Sequence, residues 1–555
     1  MEFNSVNKLI EKSIKEHWDK DALSNYQGIT LKYKDVAQRI KFLHIAFEKC
    51  GLKKGEKVAL CSRNQANWGV CFLATMTYGA VPVPLLHEFK AESIHYLVNH
   101  SEAKVLFVDE VIWEGLSEQE MPELEVIVQM NTLKFIYAKS PEFQAVRDNI
   151  TDIFNAMYPA GFTRDDVSYY EDSADELALI NYTSGTSGFS KGVMIPYRAL
   201  YSNIEFAIRD AEPQLDSNSK VVAMLPSAHM YGMMFEFLFE MTIGMHVHFL
   251  TRIPSPKIIM QAFADIHPDV IIAVPLIIEK VYKSKLKPIL DRNRLFFKLP
   301  FLDKVLERKV RNELVHSFGG NFEEIILGGA AFNPEVESFF HKIGFPYTVG
   351  YGMTECAPLI SYAPWNEFIP GSAGKILDIM KVRIDSDDPY NITGEIQVCG
   401  ENVMKGYYKN EEATREVFTE DGWLKTGDLG TIDANGFIYI RGRSKTMILS
   451  SNGQNIFPEE IESKLNNMPF VLESLIIERN KKLVALVYPD YESLDSLGLN
   501  TPENLKTVMD ENLKNLNKLV GNYEQVSKIQ LYPTEFEKTP KKSIKRFLYN
   551  SITEE

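Results

Sequence analysis

Cysteine is scarce in this chain. Its five cysteines, Cys50, Cys61, Cys71, Cys356 and Cys399, are odd in number among 555 residues and include no Cys-x-x-Cys pair. That argues against a disulfide framework or a zinc site and fits reduced thiols in a cytosolic compartment. Long apolar runs are missing as well. The most apolar window, Met230–Leu250, is broken by Glu236, Glu240, His246 and His248, so it reads as a buried helix followed by a strand, not as a membrane span. The first residues, Met1–Lys20, are polar and charged, and no signal peptide is expected; peripheral attachment to a membrane, as at its inner surface, stays open. Positive charge is in deficit, with 60 Lys and Arg against 75 Asp and Glu and a formal charge of −15. Nucleic acid is therefore not the expected partner, and an anionic ligand would need a local basic site. No internal repeat or low-complexity segment is visible.

What is present is the composition of an ordinary globular protein, 45% apolar and 24% charged. Length alone suggests roughly three or four domain-sized units. Strand-like runs at Lys57–Ser62, Ala80–Leu85, Lys104–Asp109 and Glu125–Met130 alternate with helical spacing at Lys34–Lys49 and Asn67–Tyr78. The alternation resumes at Lys220–Leu225, His246–Leu250, Asp269–Val274 and Glu324–Leu327. This is the pattern of layered α/β structure with parallel strands. Asp152–Glu176 reads as a connection between subdomains. From about Lys375 shorter runs separated by Gly, Asp and Asn suggest a small antiparallel unit. Beyond Arg441–Lys445 a helix opening at Pro458, two strands around Arg479–Lys482, a helix over Pro502–Leu519 and a last strand form a further compact module.

One loop draws the chemistry together. The apolar run Leu177–Tyr182 leads into Thr183-Ser184-Gly185-Thr186-Ser187-Gly188, a lysine follows at Lys191, and Leu200, Ile204 and Ile208 recur at helical spacing. Strand, polar loop, lysine and helix make a phosphate cradle, in which glycines admit the anion, backbone N–H groups converge on it, and an ammonium completes the shell. The loop is not a Walker A sequence. Further on stand Leu225-Pro226-Ser227-Ala228-His229, Tyr351-Gly352-Met353-Thr354-Glu355, Gly394–Tyr407, Thr426-Gly427-Asp428, the basic cluster Gly442–Lys445, and Lys538–Arg546 with five basic residues in nine.

In this order the motifs, spread from Tyr182 to Arg546, resemble the adenylate-forming superfamily of acyl-CoA synthetases, aryl-CoA ligases, firefly-type luciferases and peptide-synthetase adenylation domains. The resemblance is strongest to long-chain fatty acid–CoA ligases. It implies an α/β fold with a large N-terminal domain (1–442, in subdomains of about 1–172, 173–374 and a small β-barrel-like 375–442), a hinge at 443–445, and a small mobile α+β lid at 446–555. It also implies that a carboxylic acid reacts with Mg²⁺-bound ATP to give an acyl-adenylate and pyrophosphate, after which coenzyme A displaces AMP.

The resemblance assigns residues. Thr183, Ser184, Gly185, Thr186, Gly188 and Lys191 would hold the β- and γ-phosphates. Glu355 would bind Mg²⁺ and Thr354 would meet the α-phosphate. Tyr351, Gly352 and Met353 belong to the adenine side, which the backbone of Gly329, Ala330 and Ala331 lines from across. Asp428 would accept the ribose hydroxyls with help from Arg443. His229 would sit beside the acyl pocket, Lys445 would be the hinge, and Gly453 would admit the pantetheine arm. The terminal motif departs from the family's Gly-Lys-Ile-x-Arg: aligned on Ile544 and Arg546, the lysine position holds Ser543, and the adenylation lysine is therefore expected at Lys542, one residue away. Ser190 and Tyr197 stand where proline and histidine are usual. His246 and His248 alternate on a strand without a third ligand and receive no role.

Pro268–Pro275 and Gly328–Glu335 look like long-chain synthetases, so the expected substrate is a fatty acid of medium to long chain. Phe206, Met230, Met233, Met234 and Phe235 are candidates for a tail tunnel, although their spacing alone favours plain core. A carrier protein in place of coenzyme A, and a nucleotide-binding relative impaired through Ser543, are the alternatives. Monomer and homodimer are both compatible with the sequence.

Overall fold

The computed structural model describes residues 3–183, 190–211, 213–252, 254–282, 286, 302–449, 455–538 and 544–549. The expected α/β alternation builds the first layers. Strands Val81–Leu85, Lys57–Cys61, Ala103–Val108 and Val126–Gln129 run parallel in that spatial order, with Phe135–Ala138 antiparallel at the edge. Helices Tyr33–Lys49 and Ala66–Tyr78 pack beside it; the second is apolar nearly all round and is accordingly buried along almost its whole length. A second sheet sets Lys220–Ala223, His246–Phe249 and Asp21–Asn25 in parallel, with Thr30–Lys32 antiparallel at its edge. A bridge from Val221 to Val270 leads from it to three further parallel strands, Ile271–Ala273, Ile325–Leu327 and Tyr347–Val349.

The C-terminal third changes texture at the expected place. Met380–Asp385, Gly394–Gly400, Leu424–Ile432 and Ile438–Arg443 form an antiparallel sheet. Beyond it, Val471–Arg479, Lys482–Pro489 and Val526–Leu531 make a sheet of their own. The turn at Asn480 and Lys481 takes φ of 50° and 59°, the left-handed pair that matches the twist of a tight hairpin. Helices Pro458–Leu465 and Pro502–Leu519 cover one face of this sheet, and Phe536 and Tyr549 the other. Both of its hydrophobic clusters are drawn from Ile448 onward, so this unit carries its own core.

Two local expectations are corrected. The helix does not follow the lysine directly: Lys191–Pro196 is a strand that returns antiparallel along Leu177–Thr183, and the helix Tyr197–Phe206 begins after it. The alternation of Val193 and Ile195 as buried residues is the two-residue period of that strand. Ile208 is 41% exposed, not core, because the helix passes into a π-helical stretch at Ala207–Ala211 whose wider turn breaks the four-residue phase. Asp428 lies within the long strand Leu424–Ile432, where Gly427 at φ 75° accompanies a register shift against Gly394–Gly400. Among the described residues no helix is long and apolar enough to cross a membrane.

Candidate active site

The polar loop hangs from a rigid hairpin. Thr183 pairs with Lys191 as its last rung. Asn181 is buried and donates to the Ala228 carbonyl at 2.9 Å, fixing the hairpin to the turn before His229. Tyr182 meets His100 Nδ1 at 2.7 Å on the outer side. Ser184, Gly185, Thr186 and Gly188 lie outside the described residues.

The Tyr351–Glu355 segment is presented by a close backbone crossing. Strand Tyr351–Gly352 pairs with Leu359–Tyr362, and a β-carbon at Gly352 would stand 2.2 Å from the Pro358 carbonyl oxygen. Only glycine admits that approach. A 3₁₀ turn over Thr354–Cys356 follows, in which Thr354 and Glu355 are both buried. Asn203 holds this turn from the helix after the hairpin, donating to the Cys356 carbonyl at 3.3 Å and accepting from Leu359 N at 3.2 Å.

Glu355 and Lys191 meet at Tyr407. Its hydroxyl donates to Glu355 Oε1 at 2.9 Å, and Lys191 Nζ lies 4.7 Å from the centre of its ring. Among the described residues no group of three His, Cys, Asp or Glu side chains could hold a metal by itself. A cation here would depend on one protein carboxylate together with phosphate oxygens, a donor set that suits Mg²⁺. Glu355 is the residue that fits it.

Asp428 faces Tyr351, whose hydroxyl donates to Oδ2 at 2.7 Å, while Arg443 Nε lies 3.3 Å from Oδ1. Burial pushes the Asp428 carboxyl above its ordinary range, with Arg443 and the Tyr351 hydrogen bond pulling the other way. Burial, reinforced by Asp428, pushes the Tyr351 phenol well up, so it stays a donor. A carboxylate pair of acceptors flanked by an aromatic ring and a guanidinium can receive a vicinal diol. Gly329, Ala330 and Ala331 are exposed after the strand Ile325–Leu327, and Met353 is half-buried. Tyr231 donates to the Ile326 carbonyl at 3.1 Å and so ties the His229 region to this loop.

His229 caps the short helix Met230–Met233, its Nδ1 accepting from Tyr231 N at 3.3 Å. Two buried side chains hold the turn before it. Asn64 donates to the Leu225 carbonyl at 2.6 Å and accepts from Ser227 N and Oγ at 2.8 and 2.9 Å. Glu236 accepts from Met224 N at 3.2 Å and Leu225 N at 2.9 Å. Phe206, Met230, Met233 and Met234 are buried in the main core, as their spacing favours, with the half-buried Phe235 packed against it. His246 and His248 lie with ring centres 3.9 Å apart and planes tilted by 37°, and His246 Nε2 meets Ser24 Oγ at 2.7 Å.

The C-terminal unit contributes less. Lys445 is exposed in a turn after the strand Ile438–Arg443, where Thr446 Oγ1 donates to Glu459 at 2.7 Å. Gly453, Lys542 and Ser543 lie outside the described residues. The stem of the terminal motif is anchored: Lys538 bridges Ile544, and Arg546 donates to Glu462 Oε1 at 2.8 Å. Asn467 donates to Asn333 Oδ1 at 3.2 Å, which sets the unit against the segment that follows Ala331. Sequence reading missed Asn64, Asn203 and Tyr407. Only Tyr407 carried a signal, standing inside the quoted Gly394–Tyr407 motif.

Comparison with known proteins bears on the family and the fold. The family model described as AMP-binding enzyme matches residues 10–408. A long-chain-fatty-acid–CoA ligase, FadD15 of Mycobacterium bovis, is 28% identical over 92% of this chain and 89% of its own. A chloroplastic long-chain-fatty-acid–[acyl-carrier-protein] ligase, AEE15 of Arabidopsis thaliana, is 26% identical over 92% of this chain and 80% of its own. ATP-bound MatB from Rhodopseudomonas palustris superposes with a TM-score of 0.77, at 22% identity, over 98% of both chains.

Proposed function

This chain belongs to the AMP-binding enzyme family, and from that premise we propose that it activates a fatty acid of medium to long chain with ATP and passes the acyl group to coenzyme A. An oxygen of the fatty carboxylate attacks the α-phosphorus of ATP, the bond to pyrophosphate breaks, and an acyl-adenylate forms. The thiol of coenzyme A then adds to the acyl carbonyl and AMP leaves. The observation that carries the reading is the meeting of Lys191, Tyr407 and Glu355 beside the paired Tyr351 and Asp428.

The first step brings an anion against a polyanion, so its demand is charge neutralisation and fixed alignment. Lys191 supplies positive charge at the leaving group, with the loop from Thr183 through Ser184, Gly185, Thr186 and Gly188 donating to the same phosphates. Mg²⁺, when bound, neutralises phosphate charge as a Lewis acid. Glu355 holds it, Thr354 orients the α-phosphate, Tyr351 and the backbone at 329–331 enclose adenine, and Asp428 with Arg443 fixes the ribose. His229 lines the acyl side. Residues 446–555 act as a lid turning at Lys445, which brings Lys542 for adenylation and Gly453 for thioester formation. Chain length rests on relatives at 26–28% identity. A cytoplasmic location, with or without peripheral membrane contact, belongs to the same proposal.

The carrier-protein ligase among the relatives favours a second reading, in which a phosphopantetheinyl protein replaces coenzyme A as acceptor. The test is acid-dependent ATP–pyrophosphate exchange over saturated acids of increasing length, with Ser543→Lys run beside the parent, followed by acyl transfer to each acceptor. Exchange with long acids and formation of acyl-CoA are expected. Exchange with no acid in either protein would make the chain a nucleotide-binding relative, and transfer to the carrier protein alone would establish the second reading.

A further inference from the structure

Tyr407 has no place in the assignments above, yet it touches both charged groups of the phosphate site. We propose that Tyr407 is a positioning residue that holds the phosphate lysine and the metal-binding carboxylate at a fixed separation; the inference rests on the adenylating reading of this site.

The placement follows from the sheet. Strand Gly406–Tyr407 pairs with the returning strand of the hairpin, Tyr407 opposite Val193. Lys191 and Val193 lie on one face of that strand, so Tyr407 is the diagonal neighbour of Lys191. Its backbone N donates to Thr414 Oγ1 at 2.9 Å, and Met404 N donates to the Glu355 carbonyl at 2.8 Å. The short strand therefore holds the tyrosine and the backbone of Glu355 together. Tyr407 is 7% exposed, which leaves its side chain little freedom to leave either partner.

The chemistry separates the two charges instead of pairing them. A direct Lys191–Glu355 ion pair would consume the ammonium needed for phosphate and the carboxylate needed for the cation. The ring face attracts the ammonium through its quadrupole and leaves its three N–H donors for phosphate oxygens. The hydroxyl holds Oε1 of Glu355, which fixes the carboxyl plane and leaves Oε2 to a cation.

The test measures binding, not turnover, on the full chain. Mn²⁺ association in the presence of saturating ATP is followed by electron paramagnetic resonance, and binding of a fluorescent ATP analogue is measured separately in EDTA. Tyr407→Phe keeps the ring and loses the hydrogen bond. It should weaken Mn²⁺ association about tenfold and leave metal-free nucleotide binding within about twofold. Tyr407→Leu, or Tyr407→Met if the leucine variant does not fold, should in addition weaken metal-free binding roughly threefold. Parental Mn²⁺ affinity in Tyr407→Phe overturns the proposal. So does an equal loss in both measurements for that variant, which would mark Tyr407 as structural filling. If the parent binds neither nucleotide nor Mn²⁺ with ATP, the adenylating reading itself fails.

Discussion

Two regions of this molecule bury carboxyl groups, and they use them differently. On the nucleotide side, Glu355 is 9% exposed and the Asp428 side chain 13%; on the core helix after His229, Glu236 is 1% exposed and Glu240 not at all. Exposure separates the pairs only narrowly. Partners separate them clearly. Glu355 and Asp428 each meet one tyrosine hydroxyl, and Asp428 also has an arginine beside it. Both oxygens of Glu236 are committed to backbone N–H groups, and neither oxygen of Glu240 has a hydrogen-bond partner. A carboxyl left partly uncommitted in a cleft is available to a ligand; one fully committed to backbone is part of the frame. The four can be removed one at a time.

The largest expected effect on the reaction is at Glu355. Glu355→Gln keeps shape and one acceptor but removes the charge that a divalent cation needs, and should lower pyrophosphate exchange at least a hundredfold, or about 2.7 kcal/mol in the barrier. Thermal unfolding should shift little. A variant that keeps exchange within threefold of the parent would place the metal elsewhere. Glu236→Ala should act in the opposite way. It strands two buried N–H groups and opens a cavity, at a cost of roughly 2–4 kcal/mol in stability by denaturant unfolding. Its effect on exchange should fall on the KM for the fatty acid, because the strand end it holds leads to His229. A change confined to the KM for ATP would contradict that placement.

Asp428→Asn ranks third. The asparagine can accept from only one oxygen and loses its attraction to Arg443, so the KM for ATP should rise about tenfold with kcat little altered, as expected when ground and transition states lose the same contact. Comparing ATP with 2′-deoxy-ATP sharpens the point: the parent should discriminate between them, and the variant much less.

One half of this comparison, the half drawn from motifs, was marked out in the sequence. The hairpin strand, the motif at Tyr351–Glu355 and the carboxylate at Asp428 are local patterns, and local patterns survive folding. What failed was what depends on the third dimension. Ile208 kept a four-residue spacing in sequence, but the π-helical stretch shifted its phase. Lys191–Pro196 follows a loop rich in glycine and hydroxyls and was given no element of its own; its strand character comes from pairing with Leu177–Thr183 and Gly406–Tyr407, and pairing is invisible in one segment. Tyr407 stood inside a quoted motif, but its partners Lys191 and Glu355 come to it from other parts of the chain. Glu236 and Glu240 were read only as interruptions of an apolar stretch, because sequence does not say what a buried carboxyl faces.

Glu240 gives the most specific effect, one that pH alone switches on. Burial, offset only in part by its own backbone N–H, pushes its carboxyl from 4.5 up to about 8. The folded protein therefore holds a proton there that the unfolded chain releases near pH 4.5. With more protons bound in the folded state, stability must fall as pH rises between about 4.5 and about 8, by up to about 1.4 kcal/mol per pH unit from this group alone. Glu240→Gln removes the titration and keeps the volume. Its denaturant midpoint should lie close to the parent's near pH 5, rise above it progressively toward pH 8, and keep a constant offset beyond. Parallel curves across the whole range would mean that Glu240 is ionised when folded and has found a partner, and the contrast with the nucleotide-side carboxylates would then rest on Glu236 alone.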